Sequence, residues 1–318
     1  MRILVFGCPV NLPSRTGKYT IKQISSIREI NVVARLLRGV LFKLKIYPFS
    51  RFFYNISQCA KESADNDAVV VFDAMPYRII TKLARKIDSN VKNGTRRFVY
   101  LWNAIGYRGD ISDLKLGSEW EIVSFDFADA KRNGIRYVST FFIQMNDPKI
   151  DATSENIDLY FVGRNKGRFP LVKTIQTAVE KMSFKTDFRY VSEIKHFFSK
   201  KYSGPIPYAE VINQVRNSKC ILDITLDRQV GLTQRFMEAL WLNKKIMTNN
   251  KAIKQYKIYD KSRIFYFNNN IIDLPAIVSF FETPMREPDS DVLQSYNFDE
   301  WLKLVLETKN CADDIKNK

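Results

Sequence analysis

The stretch Asp227-Arg228-Gln229-Val230-Gly231-Leu232-Thr233-Gln234-Arg235-Phe236-Met237-Glu238-Ala239-Leu240 holds the richest chemistry in the chain. It follows an apolar run that reads as a strand and leads into a segment of helical period. A helix N-terminus offers unpaired backbone N–H groups and a partial positive charge, so a turn placed there suits an anion. Gly231 permits close backbone approach, Thr233 adds a hydroxyl and Arg235 a guanidinium fork, which equips the turn to hold a diphosphate. Glu238, one to two turns further in, puts a carboxylate where it can accept two hydrogen bonds from a ribose diol. The competing reading makes Thr233 only an N-cap and Glu238 only a surface charge. The apolar neighbours Phe236, Met237, Ala239 and Leu240 argue against a fully solvated face.

A second cluster, Phe161-Val162-Gly163-Arg164-Asn165-Lys166-Gly167-Arg168, sets three cations just past the end of a strand. Open α/β sheets bind ligands at that place, so these cations can close over a phosphate from the opposite side. Acids that follow strands or lie in loops are candidate general bases: Asp73, Asp126 and, less well placed, Asp110. Metal chemistry is poorly supported, because the only histidine is His196 and no second one joins it. No G-x-S-x-G elbow accompanies that histidine. Walker A and G-x-G-x-x-G are missing too, the first strand ending Gly7-Cys8-Pro9, so hydride transfer and P-loop phosphoryl transfer recede. The four cysteines, Cys8, Cys59, Cys220 and Cys311, form no C-x-x-C pair and suggest a reducing compartment.

The elements that must position these residues alternate. Apolar runs at 2–7, 67–72, 97–102 and 121–125 read as strands, with helical segments such as 77–87 between them. The pattern restarts with strands at 157–163, 184–191, 219–225, 245–248 and 263–267, and helices at 170–182, 207–217, 233–242, 272–281 and 298–308. Strand alternating with helix predicts parallel sheets covered on both faces. The polar stretch from Asp147 to Asn156 places a boundary between a domain of 1–150 and a second of 151–318. Each is expected to be Rossmann-like, with the last helix free to return to the first.

Charge narrows the partners. The 318 residues carry 50 Lys+Arg against 34 Asp+Glu, a net +16. Ten basic residues and one acid fall in the first 54, which accounts for nine of those charges. From Ile27 to Ile46, the residues Ile30, Val33, Leu36, Leu37, Val40, Leu41 and Leu44 fall on one helical arc of about 140°. Arg28, Arg35, Arg38, Lys43 and Lys45 fall on the other side, and the segment from Tyr47 to Tyr54 interleaves aromatics with Arg51. A core-packed helix with a basic outer face and a membrane-surface helix both fit. No apolar run reaches a membrane-spanning length and no signal-peptide pattern opens the chain, so the expected location is cytoplasmic, peripheral on the inner face of the cell membrane.

Several of these residues together carry a resemblance. Phe-Val-Gly-Arg at 161–164, Tyr208-Ala209-Glu210-Val211 leading to Ser218-Lys219-Cys220-Ile221-Leu222-Asp223, then Gly231-Leu232-Thr233 with Arg235 and Glu238-Ala239-Leu240, and Lys244 to Asn250, resemble the donor half of bacterial GT-B glycosyltransferases. More narrowly they are similar to the enzymes that build lipopolysaccharide and capsule. Val123-Ser124-Phe125-Asp126, followed by Asp129, Lys131 and Gly134, resembles the same group. The resemblance implies two Rossmann-like domains facing across a cleft. It also implies transfer of a sugar from a nucleotide donor on the second domain to a lipid-linked or phosphate-bearing glycan acceptor on the first. Gly231, Leu232 and Thr233 would meet the diphosphate, Arg235 would neutralise it, Glu238 would take the ribose and Tyr208 would face the base. Arg164 and Lys166 would complete the phosphate site, with no metal required. The Glu-x7-Glu of many retaining members is not met, since Val230 stands where the first Glu would be. An inverting displacement is therefore favoured, which needs a general base such as Asp73 or Asp126. Nucleic-acid binding would use the same positive charge, but no nucleic-acid motif appears and charge alone does not explain the turn from Gly231 to Glu238. An epimerase fits least, because Tyr256-Lys257 are adjacent where Tyr-x-x-x-Lys is needed.

Overall fold

The computed structural model describes residues 1–28, 32–44, 46, 51–143, 155–192, 195, 198–269, 271–307 and 314–316. It forms two compact units, one of Met1–Ser139 with Trp301–Ala312 and the other of Thr140–Glu300 with Asp313–Lys318.

Unit 1 opens with β1 (Arg2–Phe6), β2 (Arg15–Thr16) and β3 (Tyr19–Ile24), then α1 (Val32–Lys43) and α2 (Ile56–Glu62). β4 (Ala68–Phe72), α3 (Tyr77–Asp88), β5 (Arg96–Leu101), β6 (Trp120–Ser124), α4 (Phe127–Asn133) and β7 (Arg136–Tyr137) follow. The seven strands run in the order β2-β3-β1-β4-β5-β6-β7. All pairings are parallel except the β2–β3 hairpin. Every side chain of Ala68-Val69-Val70-Val71-Phe72 is buried, as expected of a central parallel strand covered on both faces. β3 carries little sequence signal, because only Ile21 and Ile24 of its six residues are buried and they do not alternate.

Unit 2 consists of β8 (Ile157–Arg164), α5 (Phe169–Glu180), β9 (Thr186–Val191), α6 (Tyr208–Arg216), β10 (Ser218–Asp223), α7 (Gln234–Trp241), β11 (Lys245–Thr248), β12 (Ile264–Tyr266), α8 (Leu274–Glu282) and α9 (Ser290–Gln294). Its parallel sheet runs β12-β11-β10-β8-β9. Lys245 is buried at the start of β11, and its ammonium donates to the carbonyls of Phe281 at 3.0 Å and Thr283 at 2.6 Å, capping the C-terminal end of α8.

The units part after Ser139, ahead of the polar segment expected to divide them; residues 144–154 of that segment lie outside the described ones. Contacts explain the shift. Phe142 N–H donates to the Tyr296 carbonyl, the Phe142 ring stacks on Trp241 at 4.8 Å, and Phe141 packs on Phe298.

The final helix, α10 (Phe298–Leu306), delivers Trp301 to unit 1. The indole sits 5.0 Å from Tyr100 at 89° and 5.7 Å from Phe72. The free C-terminal carbonyls of the helix are taken up by arginines: Arg136 donates to Leu304 and Val305, both at 2.8 Å, and Arg96 donates to Leu306. Arg136 also pairs with Glu121. With its side chain 7% exposed, Arg136 is a buried cation that depends on these partners in place of water. Arg136→Met is expected to cost about 3 kcal/mol, because it leaves buried carbonyls without donors. Urea unfolding followed by Trp fluorescence checks this, and an unchanged midpoint would refute the capping role.

α1 is shorter than the periodicity suggests, and four members of its apolar arc do not pack inward as in a core helix. Val33, Leu37, Val40 and Leu44 are exposed, whereas Ala34, Arg38 and Leu41 are half-buried. Ile30, Lys45 and Tyr47–Ser50 lie outside the described residues, as do the side chains of Arg35, Leu36 and Lys43.

Candidate functional site

In unit 2, the chain leaves β8 toward β9 on one side, then crosses back to lay β10 on the other. The carboxyl ends of β8 and β10 are therefore a topological switch point, where neighbouring loops diverge and open a crevice. That crevice measures about 430 Å³, within the usual range for a small-molecule site. Lys166 and Gly167 line it from the loop after β8, Thr225 and Asp227 from the loop after β10, and Asn249 from the end of β11.

The walls are laced by side-chain hydrogen bonds. Arg168 lies over the Phe161 ring and donates to the carbonyls of Arg164 at 3.0 Å and Ile224 at 2.7 Å, which fastens β8 to β10. Gly163 makes room for it, since an added Cβ would overlap the guanidinium. Asn249 Oδ1 accepts from the Thr225 N–H at 2.8 Å and from its hydroxyl at 3.1 Å. At the end of β10, Asp223 is buried. One carboxylate oxygen accepts from the Thr233 hydroxyl at 2.7 Å and the other from the Thr248 hydroxyl at 3.2 Å. Burial pushes the Asp223 pKa up, while the two hydroxyls and nearby Arg168 and Arg235 oppose the shift.

Thr233 is the N-cap of α7, its hydroxyl accepting from the Phe236 N–H at 3.0 Å. The hydroxyl expected to meet a diphosphate is therefore engaged twice within the protein, and Gly231 and Leu232 before it are buried. The preceding loop is pinned from beneath: the Val230 carbonyl accepts from Asn250 Nδ2 at 2.9 Å and from the Tyr256 hydroxyl at 3.0 Å. Leu232 is fully buried and anchors the turn apolarly.

The predicted donor residues separate into two groups. Arg164 and Lys166 are exposed at the end of β8, Lys166 with a left-handed φ of 43°. Tyr208, Arg235 and Glu238 come together between α6 and α7. There the buried Glu238 carboxylate accepts from Arg235 and from the Tyr208 hydroxyl. Burial pushes the Glu238 pKa up, with Arg235 opposing. The Tyr208 hydroxyl also rises in pKa, chiefly through burial. A small enclosed space lined by Phe142, Arg216, Gln234 and Trp241 adjoins them. Glu238 thus stands in a buried ion pair, distinct from the open crevice that Lys166 lines.

In unit 1 the switch point falls between β1 and β4. Gly7 closes β1 in a left-handed turn (φ 78°), where an added Cβ would press on Ser26 and Ala74. Asp73, just past β4, is fully buried. Its oxygens accept from Trp102 N–H at 2.8 Å, Asn103 N–H at 3.3 Å and Asn103 Nδ2 at 3.0 Å. Burial nevertheless raises its pKa from 3.8 to about 7, against the opposing charge of Arg108. Asp126 is the N-cap of α4, accepting from Ala128 and Asp129 N–H groups. Asp129, which the sequence brought forward only through the resemblance, accepts from Ile105 N–H at 2.8 Å and pairs with Arg132. Two buried carboxylates, Asp73 and Asp129, therefore hold the segment from Trp102 to Ile105. Asp110 caps a short helical turn by accepting from Ser112, which holds its carboxyl below the ordinary value. His196 lies outside the described residues. Among the described residues, no three His, Cys, Asp or Glu side chains cluster as metal ligands would.

Two successive doubly wound α/β units of this kind make the GT-B fold of glycosyltransferases. No family model and no curated protein sequence matches the chain. Among solved structures, an alpha-glucosyltransferase in complex with UDP-glucose and DNA containing an abasic site superposes with a TM-score of 0.53 at 10% identity, covering 98% of this chain and 96% of that one. Sucrose-phosphate synthase from Thermosynechococcus elongatus gives 0.51 at 8% identity, covering 96% and 98%. S. aureus TarM, in a complex that includes UDP, gives 0.46 at 10% identity; the match covers 80% of this chain, which spans 59% of that longer protein.

Proposed function

We propose that the chain is a nucleotide-sugar-dependent glycosyltransferase, moving a hexosyl or deoxyhexosyl group to a lipid-linked or phosphate-bearing glycan in bacterial envelope polysaccharide synthesis. The observation that carries this reading is the crevice at the β8/β10 switch point. It combines Lys166 with a loop braced by Asp223 against the N-terminus of α7. Lys166 and the backbone of Gly231 to Thr233 would hold the diphosphate, and the helix N-terminus would stabilise its departure without a metal. Arg164 would add charge at the mouth. Arg235, Glu238 and Tyr208 would act as one unit, with a ribose hydroxyl entering the Glu238–Tyr208 contact. Of the two proposed bases, Asp73 fits better. It lies at the switch point of unit 1 with a pKa raised to about 7 by burial, whereas Asp126 is committed to its cap. An inverting, metal-independent transfer on the inner membrane face is the form we favour.

A second reading takes nucleic acid as the acceptor. It is favoured by the net charge of +16 and by the end-to-end superposition with the alpha-glucosyltransferase whose structure contains DNA.

The donor claim is checked by thermal shift with UDP-, GDP-, CMP- and dTDP-sugars. One nucleotide is expected to raise the melting temperature by about 5 °C at saturating concentration. Lys166→Ala should leave the unliganded melting temperature unchanged and abolish most of that response. Glu238→Ala should lower both, because Arg235 loses its buried partner. If no nucleotide shifts the protein, or if Lys166→Ala responds as fully as wild type, the donor site is wrong.

A further inference from the structure

Among the described residues, eight large hydrophobic side chains are exposed, and six of them lie between residues 33 and 52. Scattered exposed apolar residues are ordinary on protein surfaces, but a cluster of this kind is a contact surface awaiting a partner. Val33, Leu37, Val40 and Leu44 are 73, 50, 50 and 63% exposed. Their spacing of four, three and four places them in one row along α1. Ile46 and Phe52 continue the apolar surface beyond the helix. Ala34, Arg38 and Leu41 are half-buried, so the helix rests on unit 1 by other positions and leaves this row unpartnered.

Charge selects the occupant. From residue 30 to residue 61 the chain has six cations, Arg35, Arg38, Lys43, Lys45, Arg51 and Lys61, and no carboxylate. A second copy of the chain would bring two such segments together with no acid to offset them. Nucleic acid would satisfy the cations but leave the valine and leucine row in water, since phosphate contacts make no use of apolar side chains. An anionic bilayer uses both features: acyl chains take the apolar row, and negative headgroups attract a segment that has five cations besides the half-buried Arg38 and no acid.

We propose that α1 is a docking element for an anionic lipid surface, lying in the membrane plane with Val33, Leu37, Val40 and Leu44 inserted at the headgroup–acyl boundary. The proposal rests on the envelope reading only in naming where the acceptor is met; docking itself requires no turnover.

The test is flotation of the full chain with vesicles of phosphatidylcholine alone and with about one third phosphatidylglycerol. Wild type should float with the anionic vesicles and stay behind with the neutral ones. The fourfold serine variant Val33→Ser/Leu37→Ser/Val40→Ser/Leu44→Ser should bind at least tenfold more weakly, with its donor-induced thermal shift intact. Leu37→Ser alone should give a partial loss, and keeps the test valid if the fourfold variant misfolds. Ile271→Ser, an exposed apolar residue of unit 2, should behave as wild type. Three results would overturn the proposal: no flotation of wild type, equal flotation of the serine variants, or a wild-type dimer in sedimentation equilibrium that those serines dissolve. Loss of duplex-DNA binding in the serine variants would likewise assign the face to nucleic acid. Failure of the donor panel with flotation intact would count against the transferase reading and leave docking standing.

Discussion

Asp223→Ala is expected to destabilise the protein by about 3 kcal/mol and to abolish the nucleotide-induced thermal shift. The carboxylate is 3% exposed and is the shared acceptor for the hydroxyls of Thr233 and Thr248. Those hydroxyls are themselves acceptors, from the N–H groups of Phe236 and Asn250. Removing Asp223 leaves the buried Thr248 hydroxyl and the half-buried Thr233 hydroxyl without their acceptor and a void behind them, and it frees the start of α7 from β10. Asp223→Asn keeps one acceptor for Thr233 and offers an N–H to the Thr248 oxygen, so it should recover most of the stability and much of the nucleotide response. Chemical denaturation alongside the donor panel checks both parts. Equal stability of the alanine and wild-type proteins would sink the bracing role assigned to this carboxylate.

The second large effect is a dependence on pH that Asp73 imposes. With its pKa raised from 3.8 to about 7, the folded chain retains a proton between those values that the unfolded chain has released. The associated stability is complete below about pH 4 and is lost as pH rises through 7, an effect of up to about 4 kcal/mol. Asp73→Asn cannot titrate, so its stability relative to wild type should climb steadily from pH 4 to pH 7.5. A flat difference over that window would show that the buried carboxyl titrates near its ordinary value. The same variant separates scaffold from chemistry. A general base would cost at least about 10²-fold in turnover with donor binding intact, whereas a carboxylate that only holds Trp102 and Asn103 would leave turnover nearly unchanged.

The fold class and the places of the central strands were legible because parallel strands buried on both faces announce themselves as apolar runs, as in Ala68–Phe72 and Lys245–Thr248. The Gly231 to Glu238 turn was legible for the same reason, since a Thr N-cap follows a strand and precedes a periodic run. Partnership was less legible. The sequence places Glu238 and Lys166 equally well beside a nucleotide, yet three-dimensional packing sets Glu238 in a buried pair with Arg235 and puts Lys166 on the crevice wall. Asp223 gave little local signal: a single acid closing an apolar run identifies itself only when two distant threonines converge on it. The amphipathic pattern of α1 fixed which residues share a side but not which side faces the protein, because apolar periodicity reads the same toward a core or a lipid surface.

Unit 1 is built from discontinuous chain, and that has a consequence for its birth on the ribosome. Trp301 fills a place against Phe72 and Tyr100, and the backbone it arrives on satisfies Arg96 and Arg136. Unit 1 thus emerges ahead of unit 2 yet is finished later, because its aromatic keystone is translated after the Thr140–Glu300 stretch of unit 2. Until then the growing chain carries an unfilled apolar socket and two arginines awaiting carbonyls. Unit 2, spanning mostly contiguous sequence, can mature first and serve as the folded neighbour while the N-terminal sheet waits.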